Sequence, residues 1–215
     1  MKKTKSIIAL FLFATLLFTF CKKQDPEPEP EPTPVAPPPA GLSVNSTPQA
    51  EFTLDGTTYT YVVGKDTVAN LRTNDKLAVG TSTSATYHSS FTKTGKYPKT
   101  YIKFTKNLLT YIGNPTPAEL SFKNFFSVGD VPYMTPDPTY GMRITYIDAN
   151  GVEWATDKGI RDQSTSNFKI KEVKEVKLAY QEMVVYATYD CMLYDGTGKV
   201  KALTNGKFVG NFENK

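Results

Sequence analysis

From Gln49 onward the apolar residues recur at every second position, and no window repeats them at helical spacing. A period of two sends successive side chains to opposite faces of a strand. Phe52 and Leu54 flank Thr53 and lead into Asp55-Gly56, after which residues 57–63 alternate Thr, Tyr and Val. An Asp-Gly pair between two such runs predicts a tight β-hairpin. Residues 101–105 put Ile102 and Phe104 on one face, and residues 142–147 form a strand that returns through Asp148-Ala149-Asn150-Gly151 to residues 152–156. In residues 184–194, Val185, Ala187, Tyr189, Cys191 and Leu193 share one face, and Tyr186, Thr188, Asp190 and Met192 share the other. The first of these faces is the core candidate.

Asp195-Gly196-Thr197-Gly198 predicts a turn, residues 199–204 a returning strand, Asn205-Gly206 a second turn, and residues 207–212 a closing strand. Eight or more strands at a spacing of roughly ten residues predict an all-β fold, an antiparallel β-sandwich with a barrel-like arrangement as the alternative. Residues 115–126 can hold a short helix, and the proline-containing stretch 129–141 predicts an irregular loop.

The chain before this domain has a different pattern. Lys2, Lys3 and Lys5 precede a 14-residue apolar run, residues 7–20, that ends at Cys21. The run is shorter than the roughly 20 residues that span a bilayer and suits the apolar region of a signal peptide. The arrangement resembles a lipoprotein signal, in which the chain is cut before a cysteine that then carries lipid, although Phe18 and Phe20 stand where that signal usually has Leu and a small residue. The resemblance implies residues 1–20 as signal peptide, Cys21 as the lipidation site, and anchoring by acyl chains at about 0.8 kcal/mol per buried methylene. Lys22 is not the Asp that retains enteric lipoproteins in the inner membrane. The implied destination is the outer membrane, with the domain periplasmic or surface-exposed. Residues 21–48 follow as a linker in which proline alternates with Glu, an extended polyproline II spacer. The domain is expected over residues 49–215.

Charge and cysteine content narrow the chemistry. Removing Lys2, Lys3 and Lys5 from the 25 basic residues leaves 22 against 21 acidic ones, so the net charge of +4 is no argument for a nucleic-acid partner. With Cys21 lipidated, Cys191 has no partner within the chain, which excludes a disulfide framework and a multi-cysteine metal site.

No catalytic constellation is expected, and neither a metal nor another cofactor. His88, the only histidine, stands in residues 86–90 without metal-ligand spacing and is expected on a strand surface. Asp148-Ala149-Asn150-Gly151 lacks the ligand series of a calcium loop and reads as a hairpin turn. Trp154, Tyr133 and Tyr140 are aromatic candidates for a ligand-binding surface, because sugar rings stack on aromatic faces presented by loops. Trp154 also shares a strand face with Val152, which favours a place in the core. Asp157 and Asp162 are carboxylates in a polar loop that could contact a ligand or, less favourably, serve a polysaccharide hydrolase. Cys191 is expected to be a buried, inert thiol.

The segments FTLDGTTY (from Phe52), GMRITYIDANGVEW (from Gly141), LYDGTGK (from Leu193) and TNGKF (from Thr204) resemble those of Bacteroidota outer-membrane lipoproteins with a C-terminal all-β domain. These are strand-and-turn sequences, so the resemblance implies a fold and no activity. The function expected is a membrane-anchored, non-catalytic binding or interaction module for a glycan or a cell-envelope protein. The alternative is a structural accessory of an outer-membrane complex.

Overall fold

The computed structural model describes residues 41–93, 100–113, 115–134, 140–159 and 162–215. The expected signal peptide, Cys21 and residues 22–40 lie outside the described residues.

The domain is all-β and antiparallel, as the alternation predicts: one continuous sheet curled into a half-barrel. Its strands are β1 (Gln49–Leu54), β2 (Thr57–Val62), β3 (Val68–Val79), β4 (Ser82–Lys93), β5 (Tyr101–Ile112), β6 (Gly129–Asp130), β7 (Gly141–Ile147), β8 (Glu153–Ala155), β9 (Asn167–Lys177), β10 (Gln181–Tyr194) and β11 (Val200–Asn214). The spatial order is β2-β1-β11-β10-β8-β7-β5-β4-β3. One edge of β10 pairs with β11; the other pairs with β9 over most of its length and meets β8 only at Tyr194↔Ala155. The outermost strands on this path are β2 and β3.

The hairpin at Asp55-Gly56 forms as expected. Both residues have positive φ, 51° and 77°, which a two-residue turn of matching twist demands. The face of β10 chosen from its alternation is buried: Val185, Ala187, Tyr189, Cys191 and Leu193 all lie in the core. Phe104, Phe208 and Phe91 pack around them, the Phe104 ring meeting Tyr189 edge-on at 5.1 Å and lying 4.1 Å from Phe208 between centroids. A short helix, α1 (Glu119–Phe125), lies within the expected stretch. It carries Phe122 against Tyr87, the ring centroids 4.9 Å apart, and Phe126, just past its end, stacks on Phe212 at 4.6 Å.

Three expectations are corrected. Asn205-Gly206 is not a turn: β11 runs unbroken from Val200 to Asn214, and the register against β10 shifts there as a β-bulge. Asn205 takes a φ of 55°, and a Cβ at Gly206 would collide with the carbonyl oxygen and ring of Tyr189. Glycine is therefore required by close packing across the ladder. The stretch 129–141 is not wholly irregular, since Gly129 and Asp130 pair with Ile170 and Lys169, and Tyr133 bridges Met142. Residues 135–139 of that stretch are outside the described residues.

His88 is not a surface residue. It is 9% exposed, with Nδ1 2.9 Å from Thr105 Oγ1 and Nε2 2.9 Å from Asp75 Oδ2. In the sheet it is paired with Thr73 on β3 and Thr105 on β5. Burial lowers the pKa of the imidazole, and the bond to Asp75 only partly opposes this.

Candidate functional site

The strand register gathers aromatic side chains at one end of the half-barrel. In the β1–β2 hairpin, Phe52 pairs with Tyr59 and Ala50 with Tyr61, so both tyrosines face the interior. Tyr146 enters the same cluster from β7. Phe52 stacks on Tyr59 at 5.4 Å and meets Tyr146 edge-on at 5.6 Å, within the 4.5–7 Å range of favourable aromatic pairs.

A cleft of about 380 Å³ opens beside this cluster, with Leu54, Tyr59, Tyr61 and Tyr146 forming its apolar wall. Its polar side comes from Lys93 at the end of β4, Thr100, the turn Asp148-Ala149-Asn150, and Lys201 on β11. This combination of apolar surface and a few convergent polar groups is typical of small-ligand sites.

The Asp148 turn is internally satisfied. Oδ1 accepts the backbone N–H groups of Asn150 and Val152 at 2.9 and 3.0 Å, and Oδ2 accepts the indole N–H of Trp154 at 3.0 Å. Burial pushes the Asp148 pKa up, but the indole and backbone donors, with Lys201 nearby, outweigh it and hold the carboxyl below its ordinary value. A donor set already committed to N–H groups is unsuited to calcium. Among the described residues, no three His, Cys, Asp or Glu side chains are grouped to hold a metal ion.

Tyr61 and Tyr146 stay neutral. Burial raises the pKa of Tyr61, opposed by a hydrogen bond with the Thr100 side chain. Burial, then the neighbouring Tyr61 and Tyr59, raises that of Tyr146. The cleft offers the half-buried ring of Tyr59 and the exposed Asn150 side chain beside two amines. The Lys201 amine lies 4.8 Å from the centre of the Trp154 ring and is ion-paired with Asp55; the Lys93 amine lies 5.5 Å from the centre of the Tyr61 ring.

The five aromatic and acidic residues singled out from the sequence do not form one site. Trp154 is 5% exposed; it sits in the core and borders the cleft only through its partners Asp148 and Lys201. Tyr133 is 6% exposed, and its hydroxyl is directed at the carbonyls of Asn167 and Asp190, 3.1 and 3.0 Å away. Tyr140 is 53% exposed and lines neither this cleft nor the second groove. Asp157 is held by the guanidinium of Arg143, with Nε 2.8 Å from Oδ1.

Asp162 is exposed, accepts the N–H of Ser164 at 2.9 Å, and is kept below the ordinary carboxylate pKa by that contact. Tyr133 and Asp162 alone come together, in a shallow groove of about 400 Å³ with Gln163, Ser164 and Ser166. Cys191 is fully buried, which pushes its thiol pKa far up.

Sequence reasoning missed Tyr59, Tyr61, Tyr146, Lys93 and Lys201 as a group. One signal was available: Tyr59 and Tyr61 share the face of Phe52 in the hairpin, so that face carries more aromatic surface than a six-residue strand needs. Comparison of the chain with protein families, curated proteins and solved structures returns no match.

Proposed function

We propose that the protein is an exported lipoprotein held at the outer membrane through a lipid on Cys21, and that its domain is a non-catalytic binding module. The cleft is its ligand site, and the ligand class is a glycan or another cell-envelope molecule. The observation that carries this reading is the half-buried ring of Tyr59, backed by the buried Tyr61 and Tyr146, facing Lys93, Asn150 and Lys201. Pyranose rings stack their C–H faces on such aromatic surfaces, and their hydroxyls take hydrogen bonds from amines, amides and phenols.

The charge states favour binding over turnover. Asp148 is held in the ionised form by its donors and Tyr61 and Tyr146 in the neutral form by burial, and general acid–base catalysis favours a pKa near the working pH. The experiment is a glycan array and an envelope pull-down with the purified protein and with a Tyr59→Ala variant. A specific ligand retained by the parent and lost by the variant is the expected result. Absence of any ligand, or retention by the variant, removes this site from consideration.

A second reading, a structural accessory of a membrane complex, is favoured by one feature. Leu77, Val79, Ile112, Leu120, Leu178 and Tyr180 are each at least half exposed. Hydrogen bonds tie their segments together at the end of the half-barrel opposite the cleft: the Lys76 amine reaches the carbonyl of Pro115, and Lys177 reaches Glu119. Apolar side chains gathered in this way suit a protein partner. Co-purification with membrane proteins, abolished by Leu77→Ser with Ile112→Ser and unaffected by Tyr59→Ala, would favour it.

A further inference from the structure

We infer that the cleft selects an anionic sugar, a pyranose ring bearing a carboxylate or a phosphate, because it is lined by an amine with no ion pair among the described residues, beside a tyrosine wall, while its one carboxylate is already engaged. The inference rests on the reading of the cleft as a glycan site.

Three charged groups line the cleft. Asp148 is the acidic one, and both of its oxygens accept N–H donors from Asn150, Val152 and Trp154. Its charge is thus spent on its own turn and on the indole. Lys201 lies across the Trp154 ring, with Asp55 as its counter-ion. That leaves Lys93. Its amine stands over Tyr61, and among the described residues it forms no ion pair. A lysine over a ring face gains a modest cation–π attraction, about 0.5–1 kcal/mol at an exposed site, and keeps its donors free for an oxyanion.

The geometry orders the interactions. A sugar ring laid on the half-buried Tyr59, with the buried Tyr61 and Tyr146 behind it, would sit over an apolar floor that excludes water on one side. A carboxylate or phosphate on that ring, turned toward Lys93, would form a charge-assisted hydrogen bond in partial shelter from solvent, where such bonds are about twice as strong as neutral ones. The exposed Asn150 side chain remains to contact neutral hydroxyls. A neutral sugar would forgo the charged contact and leave the amine to water.

The test uses the full-length protein in detergent. Calorimetry and Trp154 fluorescence follow the titration of oligogalacturonate against its fully methyl-esterified form, and of mannose 6-phosphate against mannose. The esterified and unphosphorylated sugars keep the ring and lose the charge. The expected result is at least tenfold tighter binding of one or both acidic probes, a preference that declines with added salt and disappears in Lys93→Gln while Tyr59→Ala weakens charged and neutral probes alike. Preference for the uronate alone or the phosphate alone identifies which anion the site takes. Equal binding of charged and neutral sugars overturns the anionic inference and leaves the glycan site standing. No binding of any of the four overturns the glycan reading with it.

Discussion

The guanidinium of Arg72 on the edge strand β3 reaches the carboxylate of Glu182 on β10, with Nη1 2.8 Å from Oε1. The Glu182 side chain is 4% exposed and that of Arg72 37%; Asn211 on β11 donates to the other carboxylate oxygen at 2.8 Å. The two members of the pair are unequal in what their loss would do. Arg72→Ala leaves a buried carboxylate with one amide donor, whereas Glu182→Gln leaves an arginine that water can reach. Arg72→Ala should destabilise the domain by about 3 kcal/mol, and Glu182→Gln by roughly half as much. Urea unfolding of the two variants checks the order, and equal costs would contradict the asymmetry.

Gly206 marks a place where one methyl group is too much. Its Cβ would fall within contact distance of both the Tyr189 carbonyl and the Tyr189 ring, and backbone cannot swing aside as a flexible side chain can. Gly206→Ala should cost about 3 kcal/mol, at the upper end of the usual range for overpacking. A thermal melt showing no loss of Tm would mean that the bulge can relax.

Lys106 faces the interior of the half-barrel, 8% exposed, with its amine 4.9 Å from the centre of the Phe125 ring. Burial lowers its pKa from 10.5 to about 8. The unfolded chain therefore binds more protons than the folded one between those values, so stability should rise as pH climbs from about 8 toward 10.5. The full cost of the buried charge applies below about 8. Lys106→Met should remove that slope and stabilise the domain at pH 7 by about 1–3 kcal/mol. Denaturant titrations of both proteins at pH 7, 8, 9 and 10 give the comparison; parallel curves would count against a charged, desolvated amine.

The two cysteines allow the folded state and the lipid to be read in one assay. Cys191 is inaccessible and its thiol pKa is far above the ordinary value, because burial disfavours the thiolate. A thiol reagent should detect no reactive Cys191 in the native protein. In denaturant it should titrate one thiol per chain if the proposed lipid blocks Cys21, and two if it does not. Rapid labelling of Cys191 without denaturant would place that thiol nearer the surface than its packing implies.

How far the fold could be read in advance depended on which force shaped each strand. β10 alternates cleanly because one face packs against Phe104 and Phe208, and its core residues were identified from period alone. The Asp55-Gly56 hairpin followed from turn chemistry. β3 left no such trace: Asn70, Arg72, Asn74 and Lys76 on one face are polar, since Asn70 bonds to Ser89 and Ser90, Arg72 to Glu182, Asn74 to the carbonyl of Glu213, and Lys76 to the carbonyls of Pro115 and Lys215. A face that recruits hydrogen bonds instead of apolar contacts has no hydrophobic period.

Asn205-Gly206 misled for a related reason, because a bulge and a turn ask for the same residues and only the partner strand distinguishes them. The site was the least legible part. Tyr59 and Tyr146 lie 87 positions apart in the chain and are neighbours only after β1, β2 and β7 have curled around Phe52. Trp154 and Tyr133 drew attention by residue type, yet each buries its polar atom against a protein partner and leaves little surface for a ligand.

The outer strands β2 and β3 also bear on how the molecule moves. Where β3 comes against β11 and β10, the join is made by side chains: Arg72 to Glu182, and Asn74 to the carbonyl of Glu213. A seam of that kind is a zip fastener with few teeth beside the continuous ladder of β10 and β11. Fluctuations that part the seam would free the outer edge of β3 while β4 stays held by Phe91 and Tyr87 in the core, so amide exchange would be fastest along the free edge of β3 and slowest in β10.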